Sequence, residues 1–477
     1  MKTSYFYQRI IFLLFISLCF SWSDILHGQD TLLLKYRDYL LRVKEYHPVI
    51  QQSNNLLDLA QANALMARGQ FDPKLGGSYG SKNFDDKNYY QMWEGMVKVP
   101  TWYGVDLKGE YSRNNGDFLN EMDIVPPRGL WSIGAELPLL RGLIFDSRRA
   151  EVRRAEVFSK ATEEERKLIR TEMLYEAAVA YLLWQENYQT LQFTNEYLKA
   201  AQIRTEGIRL SFINGDRPAI DTVEANLVVQ TRTQEVLDAR QNFVNARIHL
   251  ENFIWDSNFT PLELELNVVP EPIDVNFHKP MTDQVILLRE ETLANHPKIA
   301  LLDLKIQDIE IENRVVREDM KPDLRVGYDI LMGSRNNQNI FGVYNVGDHK
   351  IGATLDFPVL RRKQRGKLGV NNFKIENITL DRSINNQAIS QKFSFYANNI
   401  NLYSQQLVLV EVNTRDYFRL VEAENERFTI GESSIFLVNL REVKYFESEI
   451  KLIETKSKVV KNRLGILYIT GDMFDRL

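Results

Sequence analysis

The chain has 477 residues, of which 44% are hydrophobic and 26% are charged, and its formal net charge is −5. This composition is typical of a folded protein and not of a disordered chain, and the length allows two or three domains or one large architecture. The small net charge, without basic runs and interleaved aromatic residues, argues against nucleic acid as a partner.

The N-terminal residues have the pattern of a secretory signal peptide. Lys2 and Arg9 precede the apolar run IIFLLFISLCFSW, and a zone suited to cleavage follows at SDILHGQD. Because the run is short for a membrane-spanning helix, we predict a signal peptide over residues 1–28, with an uncleaved anchor as the alternative. Cys19, the only cysteine, lies inside this run, so cleavage would exclude disulfides, a catalytic cysteine and cysteine–metal sites.

Three short motifs occur twice along the chain, in the same order. HPVI at His47 is matched by HPKI at His296, and in both copies a second proline follows 25 residues after the first. IGAELPLLR at Ile133 is matched by IGATLDFPVLR at Ile351, and FINGD is matched by FTIGE. The first copy holds about 30 more residues between the first two motifs. We therefore interpret the chain as an internal duplication with one insertion.

Each copy begins with a predicted helix and continues with predicted strands. The histidines at His47 and His296 stand where N-cap residues belong, and the prolines after them fit the first helical turn, so we favour caps over metal ligands. VDLKGEYS, WSIGAEL, DLRVGYDIL and IGATLDF alternate apolar and polar residues, which predicts strands with one apolar and one polar face. The insertion predicts an extra hairpin near residues 88–114 that turns around Pro100–Gly104.

Three of the six tryptophans, Trp93, Trp102 and Trp131, fall in or beside the insertion. An aromatic belt at a membrane interface would explain this cluster, and packing in a core is the alternative. The polar, Gly- and Asn-rich connections predict exposed loops near Asn115 and Asn337.

Two long stretches without proline then predict helices that exceed the usual length in globular proteins. They run from Gly142 to about Arg209 and from Val359 to about Arg427, and each would be roughly 100 Å long. The best apolar run, AAVAYLLW, is too short to span a membrane. Long antiparallel coiled helices are therefore the favoured interpretation.

A short turn and a second helix follow each long helix. The turns NGDRP and IGESS precede helices predicted over Ala219–Trp255 and Ser434–Thr470. Three residues are expected to be N-caps of these helices: Asp216, Ser433 and Ser434. Residues 256–280, with four prolines, are interpreted as a linker between the two copies.

Common catalytic motifs are scarce in the sequence. It contains no phosphate-binding glycine loop, HExxH or CxxC. Carboxylates such as Glu163–Glu165 are better explained as a solvated helix face than as an acid/base pair. We predict that the protein is not an enzyme and that it has no catalytic residue, cofactor site or metal site.

The order of these elements resembles that of the outer-membrane efflux family, the TolC-like channels, over essentially the whole mature chain. The resemblance is carried by the two His-Pro openings, by LPLLRG before the first long helix, and by the Phe-x-x-Gly turns at Gly215 and Gly431. It implies an internally duplicated α+β membrane protein. Long antiparallel coiled α-helices would form a periplasmic α-barrel, and strands would be contributed to a shared trimeric transmembrane β-barrel.

The resemblance also implies boundaries and a function. The structural repeats would cover residues 29–270 and 271–477, with tip turns at 213–217 and 430–433. The implied function is an outer-membrane exit duct of a tripartite efflux or type I secretion system, a passive homotrimeric channel in outer-membrane lipid, gated at its coiled-coil tip in the periplasm. Its partners would be a periplasmic adaptor (membrane fusion) protein and an inner-membrane pump. The sequence leaves open whether the extra hairpin widens the barrel, from four strands per chain to six, or extends into the lumen or into solvent. The alternative function is a non-conducting periplasmic coiled-coil scaffold or adaptor.

In the family, the tips contact the adaptor and close the tunnel. The resemblance places the adaptor contact at Gly215, Asp216, Arg217, Gly431 and Glu432. It places the gate ties near the same turns, at Asp221, Glu224, Asn439 and Arg441, with Arg217 beside them. Relatives often carry paired aspartates after the second tip, whereas this chain has Phe436 and Asn439 there, so an acidic ring is not implied. Ordinary exposed charges, worth about 0–1 kcal/mol each, are the alternative.

Overall fold

The computed structural model describes residues 32–265, 267–287, 289–333 and 343–471. The predicted signal peptide at residues 1–28 and the loop expected near Asn337 lie outside these residues. The chain divides into two compact units, which are described separately below.

Helices make up most of the described chain. They are α1 (Tyr36–Tyr46), α2 (Pro48–Arg68), α3 (Ser147–Ile213), α4 (Ala219–Glu251), α5 (Lys279–Leu287), α6 (Arg289–Ala294), α7 (Pro297–Glu318), α8 (Arg362–Thr429) and α9 (Ile435–Ile469). The two long helices predicted from the proline-free stretches are α3 and α8, of 67 and 68 residues. Within the described part of the chain, no helix is long and apolar enough to cross a membrane.

The two His-Pro motifs begin helices in the same way. The Nδ1 atom of His47 accepts a hydrogen bond from the backbone N–H of Val49 at 3.2 Å, and Nδ1 of His296 accepts one from Lys298 at 3.0 Å. Each histidine thus satisfies a backbone donor that the first turn of a helix leaves without a partner. The N-cap prediction is confirmed for both.

The strands of the described ranges form two sheets. They are β1 (Leu32–Leu34), β2 (Lys74–Phe84), β3 (Lys87–Pro100), β4 (Asp106–Asn115), β5 (Leu130–Pro138), β6 (Val268–Pro270), β7 (Asp323–Gly333) and β8 (Val343–Asp356). Two short 3₁₀ turns lie at Gly69–Phe71 and Glu121–Asp123. The larger sheet has six strands in the order β2-β3-β4-β5-β7-β8, and every neighbouring pair in it is antiparallel. The inserted segment of the first copy forms β3 and β4, so that copy gives four strands and the second copy gives two.

The first unit consists of residues 32–42, 180–273 and 417–453 within the described chain. It holds β1, β6, α4, the later half of α3 and the ends of α8 and α9 that meet at the second tip turn. The strands β1 and β6 pair in parallel. The segment predicted as a linker, residues 256–280, therefore contributes a strand to this unit.

Aromatic side chains form part of the core of the first unit. Tyr39, Tyr181 and Trp184 are almost fully buried. The rings of Tyr39 and Tyr181 stack at 5.3 Å, and Trp184 meets Tyr181 edge-on at 5.7 Å. The Tyr181 hydroxyl donates to the backbone carbonyl of Leu34 in β1, so a buried phenol connects a long helix to the two-stranded sheet.

The second unit consists of residues 43–179, 274–416 and 454–471 within the described chain. It contains the six-stranded sheet together with the helices that enter and leave it. At the junction, the carboxylate of Asp106 in β4 contacts Lys98 of β3 at 3.0 Å and Arg148 of α3 at 2.8 Å. The ring of Trp102, in the turn between β3 and β4, lies 5.3 Å from the ring of Phe71. These contacts attach the inserted hairpin to the base of the helices.

Candidate functional site

The first tip turn is a glycine-terminated helix end. Gly215 has φ +85°, in the left-handed region. Its N–H donates to the carbonyl of Phe212 at 3.0 Å, and the N–H of Asp216 donates to the carbonyl of Ser211 at 2.9 Å. This pair of bonds defines a Schellman motif, which satisfies the last carbonyls of α3 and turns the chain sharply.

The second tip turn repeats this geometry at the end of α8. Gly431 has φ +82°, its N–H donates to Phe428 at 3.2 Å, and the N–H of Glu432 donates to Arg427 at 2.8 Å. The Phe-x-x-Gly pattern that the sequence repeats is thus the signature of one turn used twice. The side chains of Asp216 and Glu432 are exposed.

Alanine at either tip glycine is expected to destabilise the turn. A Cβ at Gly215 or Gly431 would meet no described atom within 4 Å, so the cost is that of the left-handed backbone alone, about 1–2 kcal/mol per residue. Gly207→Ala is the matched control, because Gly207 lies inside α3 with equally open surroundings, and there alanine should stabilise by about 0.5–1 kcal/mol. Amide hydrogen exchange at the tip residues measures both effects. If the tip variants and Gly207→Ala changed the exchange rate in the same direction, the strained-turn explanation would be contradicted.

The helices that follow the two turns begin differently. Pro218 is the N-cap residue of α4 and makes no side-chain capping bond, so the prediction that Asp216 caps this helix is wrong. Proline restricts φ but offers no acceptor in its side chain, and the chain enters α4 from an extended residue. In the second turn, Ser434 Oγ accepts from the N–H of Leu437 at 3.4 Å. Ser433 instead donates to Glu424 Oε1 at 2.6 Å, so only Ser434 acts as the predicted cap.

Arg217 connects the first tip turn to the second. Its guanidinium lies 4.0 Å from the ring centre of Phe428 and donates to the Phe428 carbonyl at 3.3 Å. The same guanidinium lies 3.7 Å from the carboxylate of Asp221. Phe428 packs in turn on a buried cluster of Ile208, Ala225 and Ile435. Arg217 and Asp221 thus form one tie between the start of α4 and the end of α8.

A second tie joins α4 to α9. The side-chain nitrogen of Asn439 donates to Glu224 Oε1 at 3.1 Å. Both residues are among the predicted gate positions, and the structure brings them together.

Arg441, the remaining predicted gate residue, contacts α8. Its guanidinium lies 3.7 Å from Glu424 Oε2 in α8, so it ties the two helices that flank the second tip. Glu424 is buried. Its Oε1 atom also accepts a hydrogen bond from Ser433 at 2.6 Å and lies 3.8 Å from the guanidinium of Arg427. Glu424 and Phe428 are central to the tip contacts. The sequence indicated Phe428 only as part of the Phe-x-x-Gly motif and gave no signal for Glu424.

A buried ion pair lies along the same helices, further from the turns in sequence. Arg204 of α3 and Glu442 of α9 make a two-point contact, with Nη1 to Oε2 at 2.7 Å and a second contact from Nη2 to Oε1. The carboxylate of Glu442 is only 6% exposed. Two-point guanidinium–carboxylate pairs combine charge with fixed geometry, so this pair fixes the register of α3 against α9.

Beside this pair, an arginine is enclosed by aromatic rings. Arg232 of α4 is 4% exposed, and its guanidinium lies 4.7 Å from the ring of Tyr197 and 4.8 Å from that of Phe446. The Arg232 guanidinium also donates a hydrogen bond to Glu235 Oε2 at 2.7 Å. Burial, together with the nearby carboxylate of Glu442, raises the pKa of the Tyr197 hydroxyl, so that group stays neutral. Helical spacing gave no signal for this cluster.

The six-stranded sheet is the second candidate element. One face carries apolar partners in register, such as Val99 opposite Leu107 and Leu107 opposite Ala135. On the other face, Lys98 lies opposite Lys108. The apolar face is uncovered in the single chain, since Leu75 is 85% exposed and Leu355 is 68% exposed. An apolar surface of this kind needs an apolar environment or a partner.

Two of the three tryptophans singled out by the sequence lie on this sheet. Trp93 contacts Tyr79 across the strands at 4.5 Å, and Trp131 contacts Tyr111 at 4.8 Å. These are cross-strand aromatic pairs of the kind that stabilise sheets. Trp102 differs, because it packs on the helix base as described above.

A family model and several solved structures match this chain. Residues 104–254, in the first copy, match the family described as outer membrane efflux protein. In family signature and in fold, the chain is similar to the TolC-like outer-membrane efflux proteins. The resemblance inferred from the sequence is thereby confirmed. No curated protein sequence matches the chain.

The matching solved structures cover nearly the whole of this chain. The CmeC outer membrane channel of Campylobacter jejuni is 12% identical with a TM-score of 0.62, covering 91% of this chain and 85% of its own. The outer membrane protein VceC of Vibrio cholerae is 13% identical with a TM-score of 0.62, at 91% and 95% coverage. The open state of the Neisseria gonorrhoeae MtrE outer membrane channel is 11% identical with a TM-score of 0.61, at 91% and 88%. At these identities the matches establish the TolC-like fold.

Proposed function

We propose that this protein is the outer-membrane exit duct of a tripartite efflux or type I secretion system. It is a passive trimeric channel, gated at its coiled-coil tips, that lies in the outer membrane with its helical portion in the periplasm. A periplasmic adaptor and an inner-membrane pump are its partners, and the pump supplies the energy, so the duct itself carries out no chemical step.

The observation that carries this proposal is the six-stranded sheet with one apolar and one polar face. Leu75 and Leu355 leave the apolar face open to its surroundings, while Lys98 and Lys108 lie on the opposite face. In a membrane barrel the apolar face contacts lipid and the polar face contacts water in the pore. Backbone groups cannot remain unpaired in a bilayer, so strands of several copies must close into one barrel.

The tips support the adaptor part of the proposal. Large apolar side chains close to the two turns are exposed in the single chain: Ile213, Ile220, Ile430 and Phe436. Exposed apolar groups beside polar ones are typical of protein contact surfaces. A partner that binds the open arrangement of the tips more tightly than the closed one would shift the chain towards the open state.

The proposal predicts a trimer that conducts ions. Native mass spectrometry of the detergent-extracted protein from the outer-membrane fraction should give a mass three times that of the mature chain. The same preparation should give discrete conductance steps in planar bilayers. A monomer that is released from cells without detergent would contradict the channel and favour the non-conducting scaffold.

A further inference from the structure

We propose that the inserted hairpin β3–β4 is part of the barrel wall, so that β8 of one copy pairs with β2 of the next and three copies close an 18-stranded barrel. The inference rests on the proposed function and deepens it. It means that the membrane segment is wider than two hairpins per copy would make it. The sheet would then admit larger cargo than a barrel of two hairpins per copy.

The backbone pairing leaves one way to close the sheet. Residues 91–100 of β3 pair with residues 106–115 of β4, and residues 106–112 of β4 pair with residues 130–136 of β5. Both edges of β4 are thus occupied within the chain. Among the described strands of this sheet, only β2 and β8 have a neighbour on one side alone. A second copy of this chain, with the same two edges, is the partner that satisfies both.

The inserted strands also continue the two faces of the sheet. Val97 of β3 lies directly opposite Leu75 of β2 and opposite Gly109 of β4. In β4, Leu107 lies on the apolar face and Lys108 on the polar face, in register with Ala135 and Gly134 of β5. A hairpin that projected into solvent or into the pore would have no need for an apolar face, whereas a strand in a barrel wall does.

The inserted hairpin is attached to the helices at the end of the sheet where the chain passes from helix to strand. Asp106 is bound by Lys98 and by Arg148 of α3. Trp102 packs on Phe71 just after α2. The turn between β3 and β4 therefore lies at the same helical base at which β2 begins and β5 ends, as an even number of added strands requires.

The consequence for the pore follows from the strand number. The diameter of a barrel grows roughly linearly with the number of strands, and barrels of 16–18 strands leave an aqueous channel. Six strands per copy in place of four widen the barrel about 1.5-fold. The wider barrel would therefore pass larger hydrated molecules than a 12-stranded one.

Disulfide trapping between copies tests the closure. In a Cys19→Ser background, Ser78→Cys in β2 is combined with Lys350→Cys or Thr354→Cys in β8. All three positions lie on the polar face, and at least one pair should give covalent dimers and trimers on oxidation. The control pairs the same β8 cysteines with Ser112→Cys in β4, which should give none. Links from β4 without links from β2 would overturn the inference while leaving a trimeric channel intact.

A deletion measures the width. Lys74 and Lys98 are direct partners across β2 and β3, so removing residues 75–98 joins neighbouring backbone and leaves β4, β5, β7 and β8 paired as they are. Polyethylene glycols of graded size, added on the sheet side in planar bilayers, should be excluded at a radius about 1.5-fold smaller than for the full chain. Equal cut-offs would overturn the inference. If neither protein forms a trimer or conducts, the proposed function itself fails; if only the deletion variant fails to assemble, the disulfide result decides.

Discussion

Glu442→Gln is expected to lower the free energy of unfolding by roughly 3 kcal/mol, because it leaves the Arg204 charge without its counter-ion in a buried site. The two residues make a two-point contact between α3 and α9, with Nη1 to Oε2 at 2.7 Å. Glutamine keeps the shape of the side chain, but it removes the charge and replaces one of the two acceptor oxygens with a donor. The loss should appear in urea unfolding of the detergent-solubilised protein, followed by circular dichroism.

A matched control lies on the same helix. Glu447 is 57% exposed and pairs with Lys444, one turn away, at 2.8 Å, so Glu447→Gln should cost less than about 1 kcal/mol. The double variant Arg204→Met/Glu442→Met should recover most of the stability, since apolar side chains of similar size can replace a buried pair. If Glu442→Gln costs no more than Glu447→Gln, the buried pair does not hold α3 and α9 together.

The sequence predicted the elements well because the relevant signals are local. Proline breaks the interior of a helix, so nearly 70 residues without proline favour a long helix. The helices α3 and α8 have the predicted extent within about five residues. His47 and His296 act on backbone donors two residues away, so their role could be inferred from the motif itself. The inserted strand β4 was visible as alternation and β3 only as the other half of an expected hairpin. The number of strands in one continuous sheet depended on pairing, which a single sequence does not contain.

The tip contacts were only partly predictable, for a physical reason. Arg217 and Phe428 are 211 positions apart, and Arg204 and Glu442 are 238 apart. Such partners meet only after four helices have packed in one register. Asp216 was expected to cap α4 because its residue type favours caps. The chain uses Pro218 instead, which the preference for acidic and hydroxyl caps could not anticipate.

Removing the Arg217 side chain is expected to open the tip. In the proposed closed state this guanidinium ties α4 to α8 through the ring and the carbonyl of Phe428. A cation–π contact is worth about 1–2 kcal/mol when partly desolvated, and a hydrogen bond from a charged donor about 1.5–3 kcal/mol. If the open state lacks these contacts, Arg217→Ala shifts the equilibrium by roughly 2–3 kcal/mol in each copy. Each 1.4 kcal/mol is a factor of ten, so the open fraction measured in planar bilayers should rise at least tenfold.

Two further variants separate the tie from a general effect of charge. Arg217→Lys keeps the charge but loses the flat guanidinium that stacks on the ring, so its open fraction should be intermediate. Arg209→Ala removes an arginine that is 54% exposed and that, among the described residues, pairs within its own helix, with Glu206 at 2.6 Å, so the channel should remain closed. An Arg217→Ala protein whose tip amides exchange faster while its conductance stays at the level of the unmodified protein would show that the tie stabilises the turn without holding the gate. The constriction would then depend on contacts between copies, for which Asn439 and Phe436, beside the second tip, are the nearest residues to examine.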